Sequence, residues 1–158
     1  MKITREKVLQ MWGLFQRLAS EKTNVKFHFG IIRNKRVLEP EVDSMQKAQA
    51  PPDGYQAFED ARMKMCQEMC EKDDAGNPKI IAGQFAIPEE ARPGFDEKME
   101  GLKEEHQEVL DVMEKQQEEF NELLKEEINV EFHKIKLEDM PEKVLGGDMD
   151  LLYELIEE

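Results

Sequence analysis

Apolar residues recur at three- and four-residue steps through most of this chain, which predicts helices. Over residues 4–21, Val8, Met11, Trp12, Phe15, Leu18 and Ala19 share one face. Gly13 weakens that helix by about 1 kcal/mol relative to alanine. The stretch Lys26-Phe27-His28-Phe29-Gly30 alternates like a strand. The longer register Phe27, Ile31, Asn34, Leu38, Val42, Met45 and Gln49 outweighs it. We read one bent helix over about 25–49, with Asn24 as its N-cap. Pro40 predicts a kink or break, since it lacks the N–H and clashes with the preceding turn. Gly30 is a second weak point. Pro51-Pro52-Asp53-Gly54 turns the chain. A third helix over about 55–72 carries Tyr55, Phe58, Arg62, Met65 and Met69 along its seam.

Residues 73–78 read as a turn, and 79–87 as a short β-hairpin closed by Pro88. The strongest pattern lies over residues 94–127. Phe95, Met99, Leu102, His106, Val109, Met113, Gln116, Phe120 and Leu123 form a heptad seam, with glutamates on the other positions. Such a stripe needs a mate, either helix 55–72 or the same helix in a second copy. Residues 128–136 alternate apolar and polar, which predicts a strand beside the hairpin with a bulge at His133. A last helix is expected over 147–157, with Leu151, Leu152, Leu155 and Ile156 apolar. The fold class is therefore mainly α with a small β element (α+β). We expect an antiparallel bundle or coiled coil of long helices carrying a short hairpin and one further strand. The expected organisation is a single domain over 1–158, read in stretches 1–50, 51–127 and 128–158.

Charge changes this picture more than composition does. The net charge is −14, but residues 1–36 hold nine Lys/Arg and two Asp/Glu, a net of +7. The remaining thirteen and thirty-four leave −21 for residues 37–158. The simplest use of that asymmetry is packing of the basic end on the acidic remainder; the alternative is two surfaces with different partners. No apolar run approaches membrane-spanning length, which argues against a membrane partner. The apolar residues of the start are spaced as in a helix rather than blocked as in a secretory signal. Only Cys66 and Cys70 are present, so a disulfide framework is excluded and a reducing cytoplasm is the expected location.

Candidate chemistry is sparse. Cys66 and Cys70 share a helical face, but a tetrahedral metal needs two further ligands and the histidines are scattered. No cofactor or metal is expected. His106 and Gln116 are polar positions in the long seam, where such groups fix register or oligomeric state. The carboxylates repeat along a helical face, as a solvated surface does. No phosphate loop, nucleophile elbow or HExxH motif is present, so no catalytic residue is assigned. The basic cluster is more informative. Lys26, Arg33 and Arg36 project on one side of the second helix, with Phe29 on or beside it. Arginines beside an aromatic can hold a phosphate and stack a base. The simpler expectation is a buried Phe29 and cations paired with the glutamate-rich helix. The −21 elsewhere argues against direct nucleic-acid binding.

Four phrases carry a resemblance. They are Arg33-Asn34-Lys35-Arg36-Val37-Leu38-Glu39-Pro40-Glu41, Glu71-Lys72-Asp73-Asp74-Ala75-Gly76-Asn77-Pro78-Lys79-Ile80, Gly83-Gln84-Phe85-Ala86-Ile87 and His133-Lys134-Ile135-Lys136-Leu137-Glu138-Asp139-Met140-Pro141. In these, over about residues 24–141, the chain resembles a family of small uncharacterised proteins from tailed-phage and prophage genomes. The resemblance implies a phage-encoded protein working in a bacterial cytoplasm; it supplies no catalytic residue. The expected function is that of a non-enzymatic accessory protein. It would act by binding itself, as a homo-oligomer, and a host or phage protein, for instance to blunt a host defence. Alternatives are an acidic DNA mimic, a sponge for an anionic nucleotide using Lys26, Phe29, Arg33 and Arg36, and a tail-assembly chaperone.

Overall fold

The computed structural model describes residues 1–144 and 146–157. The protein is mainly α, with short strands in small two-stranded sheets. It divides into two compact units. One joins Met1–Ala50 to the stretch from Glu118 on, and the other is Pro51–Gln117.

The first unit opens with β1 (Lys2–Thr4) and α1 (Arg5–Ser20). Thr4 caps α1 by accepting from the Lys7 N–H at 3.2 Å. After four linking residues, α2 runs from Val25 to Ala48, capped by Asn24, whose side chain accepts from the Phe27 N–H at 2.9 Å. As read from the sequence, one helix spans this stretch, and α2 continues through Pro40 without a break. Pro40 is exposed, so the ring meets solvent, and packing on both sides of it holds the helix together. Leu38, Val42 and Met45 are all buried there.

α1 and α2 pack against each other and supply most of the core. Val8, Met11, Leu14, Phe15 and Leu18 meet Phe27, Ile31, Leu38, Val42 and Met45. The returning chain completes it with Phe120, Val130, Ile135, Leu152 and Leu155. Burying one such side chain contributes roughly 1.5–3 kcal/mol.

The predicted strand 128–136 is interrupted. β4 (Glu127–Asn129) pairs antiparallel with β1, Ile3 opposite Ile128, rather than with the hairpin. The chain then leaves the extended ladder before β5 (Ile135–Lys136). The cause is a side chain from α2. Asn34 is fully buried; its Nδ2 donates to the His133 carbonyl at 2.9 Å and its Oδ1 accepts from the His133 N–H at 2.6 Å. A carboxamide thus takes the place of a neighbouring strand. Gly30 permits the approach, since a Cβ there would lie 2.9 Å from Ile135 Cγ1. It is a contact point rather than a weak point.

The end of the chain also departs from the expected helix. α6 (Gly146–Leu152) gives way to a 3-10 turn over Tyr153–Leu155 and then β6 (Ile156–Glu157), which pairs parallel with β5. Leu152 and Leu155 reach the core from this compact turn without a continuous helix.

In the second unit, α3 (Tyr55–Met69) follows Gly54, whose φ of +89° suits glycine. The hairpin forms as expected, with β2 (Ile80–Ile81) pairing β3 (Gln84–Phe85). Its central residues, Ala82 and Gly83, both have positive φ, the geometry that matches strand twist in a two-residue turn. Asp73 organises the preceding turn, accepting from the Ala75 and Asn77 N–H groups at 2.9 and 2.8 Å.

The predicted long helix is two helices, α4 (Arg92–Glu105) and α5 (Gln107–Lys125). His106 separates them. Its N–H donates to the Leu102 and Lys103 carbonyls, and its own carbonyl accepts from the Val109 and Leu110 N–H groups. Its ring packs edge-on to Phe58 at 5.7 Å instead of setting register in a continuous seam. A one-residue interruption leaves the apolar phase intact, so periodicity cannot detect it. The seam is also divided between the units. Phe95, Met99, Leu102, Val109, Met113 and Gln116 are half-buried in the second, where α3 packs against α4. Phe120 and Leu123 serve the core of the first.

Candidate functional site

Most cations of the basic end are neutralised within the first unit. Arg5 binds Glu41 and Glu126, Arg17 binds Asp148 at 2.5 Å, and Lys7 reaches Glu154 at 3.3 Å. Glu41 leads the causes that hold the Arg5 guanidinium above its ordinary range. Lys35 lies 4.9 Å over the Trp12 ring. The predicted packing of basic on acidic segments is thus realised for α1.

The outer face of α2 is different. Helical steps of three and four place Lys26, Phe29, Arg33 and Arg36 along one stripe. Phe29 is 61% exposed, against the expectation of burial. It lies outside the seam that packs on α1, and the 133–139 segment covers it only in part. Arg33 and Arg36 are exposed and form no ion pair among the described residues, so the glutamate-rich helix does not neutralise them. Arg33 Nη1 lies 3.4 Å from His133 Nδ1. Of the stripe's three cations, Lys26 has a carboxylate, Asp139, at 3.4 Å.

Beside this stripe is a cleft of about 500 Å³. Val25, Lys26 and Phe29 form one wall; residues 133–136, Asp139 and Glu157 form the rest. The Phe29 and His133 rings meet edge to face at 6.4 Å and 85°. Lys134 and Lys136 flank the buried Ile135, and strand alternation points both away from the core. Lys134 Nζ donates to the Glu154 carbonyl at 2.5 Å, whereas Lys136 has only a 3.9 Å ion pair with Glu138.

Of the four residues singled out in the sequence, Lys26 and Phe29 line this cleft, whereas Arg33 and Arg36 do not, and its other wall was not anticipated. The signals were present. A buried-register Asn34 in a seam otherwise apolar from Phe27 to Met45, one turn after Gly30, marks where another segment approaches. The phrase His133-Lys134-Ile135-Lys136 is that segment.

Elsewhere the chemistry stays thin. Cys66 and Cys70 are buried free thiols. Among the described residues no group of three or more His, Cys, Asp or Glu is placed to hold a metal, and no helix is long and apolar enough to cross a membrane. No family model, characterised protein or solved structure compared with the chain matches it.

Proposed function

We propose that this is a phage-encoded accessory protein that acts by binding, with no reaction of its own, and that the basic, aromatic face of α2 is its recognition surface. The observation that carries this reading is the exposed Phe29 beside Arg33 and Arg36, two guanidinium groups without carboxylate partners among the described residues. An exposed aromatic beside unneutralised cations fits an anionic partner better than it fits solvent. The phage assignment rests on the sequence phrases alone. Self-association is not required by the seam, because α3 supplies a mate for α4 within the chain.

Immobilised wild-type and Arg33→Glu/Arg36→Glu proteins, exposed to extract of a bacterial host, test the reading. Mass spectrometry would identify both retained proteins and retained small molecules. A partner held by wild type, released at raised salt and lost on charge reversal is expected. Identical recoveries from both proteins would overturn it.

A further inference from the structure

We infer that the cleft between Phe29 and the 133–139 segment is a site for a free nucleoside phosphate. This assignment rests on the binding role proposed above and names the ligand and its seat.

Three features of the cleft converge. Its volume of about 500 Å³ suits a small organic ligand. Its aromatic corner is available: Phe29 is 61% exposed and its ring stands perpendicular to His133, so a planar base can lie on its face. Its polar groups are of both signs and differ in freedom. Lys134 is fixed on a backbone carbonyl. Lys26 and Lys136 sit in long ion pairs of 3.4 and 3.9 Å, with side chains 73% and 61% exposed. Exposed pairs of that kind are weak, and both ammonium groups can turn to a phosphate. Asp139 and Glu157, both on the cleft wall, are acceptors for ribose hydroxyls or an exocyclic amine.

The charge balance points to a small ligand rather than a polymer. The lining carries three lysines against two carboxylates, enough to favour a terminal phosphate and too little to track a phosphodiester backbone. A bare phosphate would leave Phe29 unused, and a nucleoside would leave the lysines unused. The cleft therefore selects for both parts together.

Calorimetric titration of the intact protein with ADP, GDP, CDP and UDP tests this, with adenosine, inorganic phosphate and a single-stranded oligonucleotide as comparators. At least one nucleotide should bind at least tenfold tighter than adenosine or phosphate. Phe29→Leu and Lys136→Ala should each weaken it about tenfold. Both positions are exposed, and unchanged circular dichroism would confirm folding. No nucleotide binding at millimolar concentration, binding indifferent to Phe29→Leu, or tighter binding of the oligonucleotide would each overturn the assignment. If nucleotides fail while Arg33→Glu/Arg36→Glu still abolishes capture from extract, only the assignment falls; if both fail, the binding role falls with it.

Discussion

The carboxamide of Asn34 holds both backbone polar groups of His133, so one side chain of α2 fixes where the returning chain leaves its strand. Removing it would strand a donor and an acceptor in a partly buried setting. Unsatisfied groups of this kind cost roughly 1–3 kcal/mol each. Asn34→Ala is therefore expected to lower stability by about 2–4 kcal/mol in urea denaturation. It should also loosen the wall opposite Phe29. A loss under about 1 kcal/mol would mean that water serves those groups equally well.

Two helical glycines should respond in opposite directions. A Cβ at Gly30 would meet Ile135 Cγ1 at 2.9 Å and Cδ1 at 3.3 Å, and Ile135 is itself buried. Gly30→Ala is expected to cost roughly 1–3 kcal/mol through overpacking, despite alanine's better helix propensity. A Cβ at Gly13 would meet nothing within 4 Å. Gly13→Ala should gain about 0.5–1 kcal/mol. Thermal and chemical denaturation of the pair check the signs; a stabilising Gly30→Ala would contradict the close approach of α2 and β5.

Acid sensitivity should arise partly in the second unit. Arg62 donates to both Glu59 carboxylate oxygens, at 3.0 and 2.7 Å, and holds that carboxyl below its ordinary range against the opposing effect of burial. Asp73 is lowered chiefly by the Asn77 N–H. Each folded carboxyl thus binds protons less readily than its unfolded counterpart. The stability it contributes is present above the unfolded pKa, about 4.3 for Glu and 3.9 for Asp, and is lost as pH falls through the folded value. Melting temperatures between pH 7 and 3 should show a shallower acid limb for Glu59→Gln/Asp73→Asn than for wild type. Equal slopes would assign the acid limb to other carboxylates.

Much of the fold was readable because its signals are local. The cap Asn24 acts within three residues, and the hairpin turn at Ala82-Gly83 within four. The seams of α1 and α2 emerge as the core because one stripe repeats over several turns. What escaped was decided at long range. β1 is too short to announce itself and exists through Ile3 facing Ile128. The parallel pairing of Ile135 with Ile156 joins segments that carry no mutual label. The break at His106 preserves apolar phase, so the heptad pattern runs through it unmarked. At the candidate site, spacing placed Phe29 on the side of α2 away from the core. Whether anything would cover that side depends on the course of residues 130–139, which follows from the Asn34 tether.

The two-part construction of the first unit has a consequence for biosynthesis. Its N-terminal helices leave the ribosome early, yet Phe120, Val130, Ile135 and Leu155, which seal their core, come after the 67 residues of Pro51–Gln117. At about 5–20 residues per second, that interval is roughly 3–13 s. During it, the apolar faces of Phe15 and Phe27 lack part of their final cover. A nascent-chain holdase has that window in which to act, and truncated products ending before Phe120 should be the ones that aggregate or are degraded.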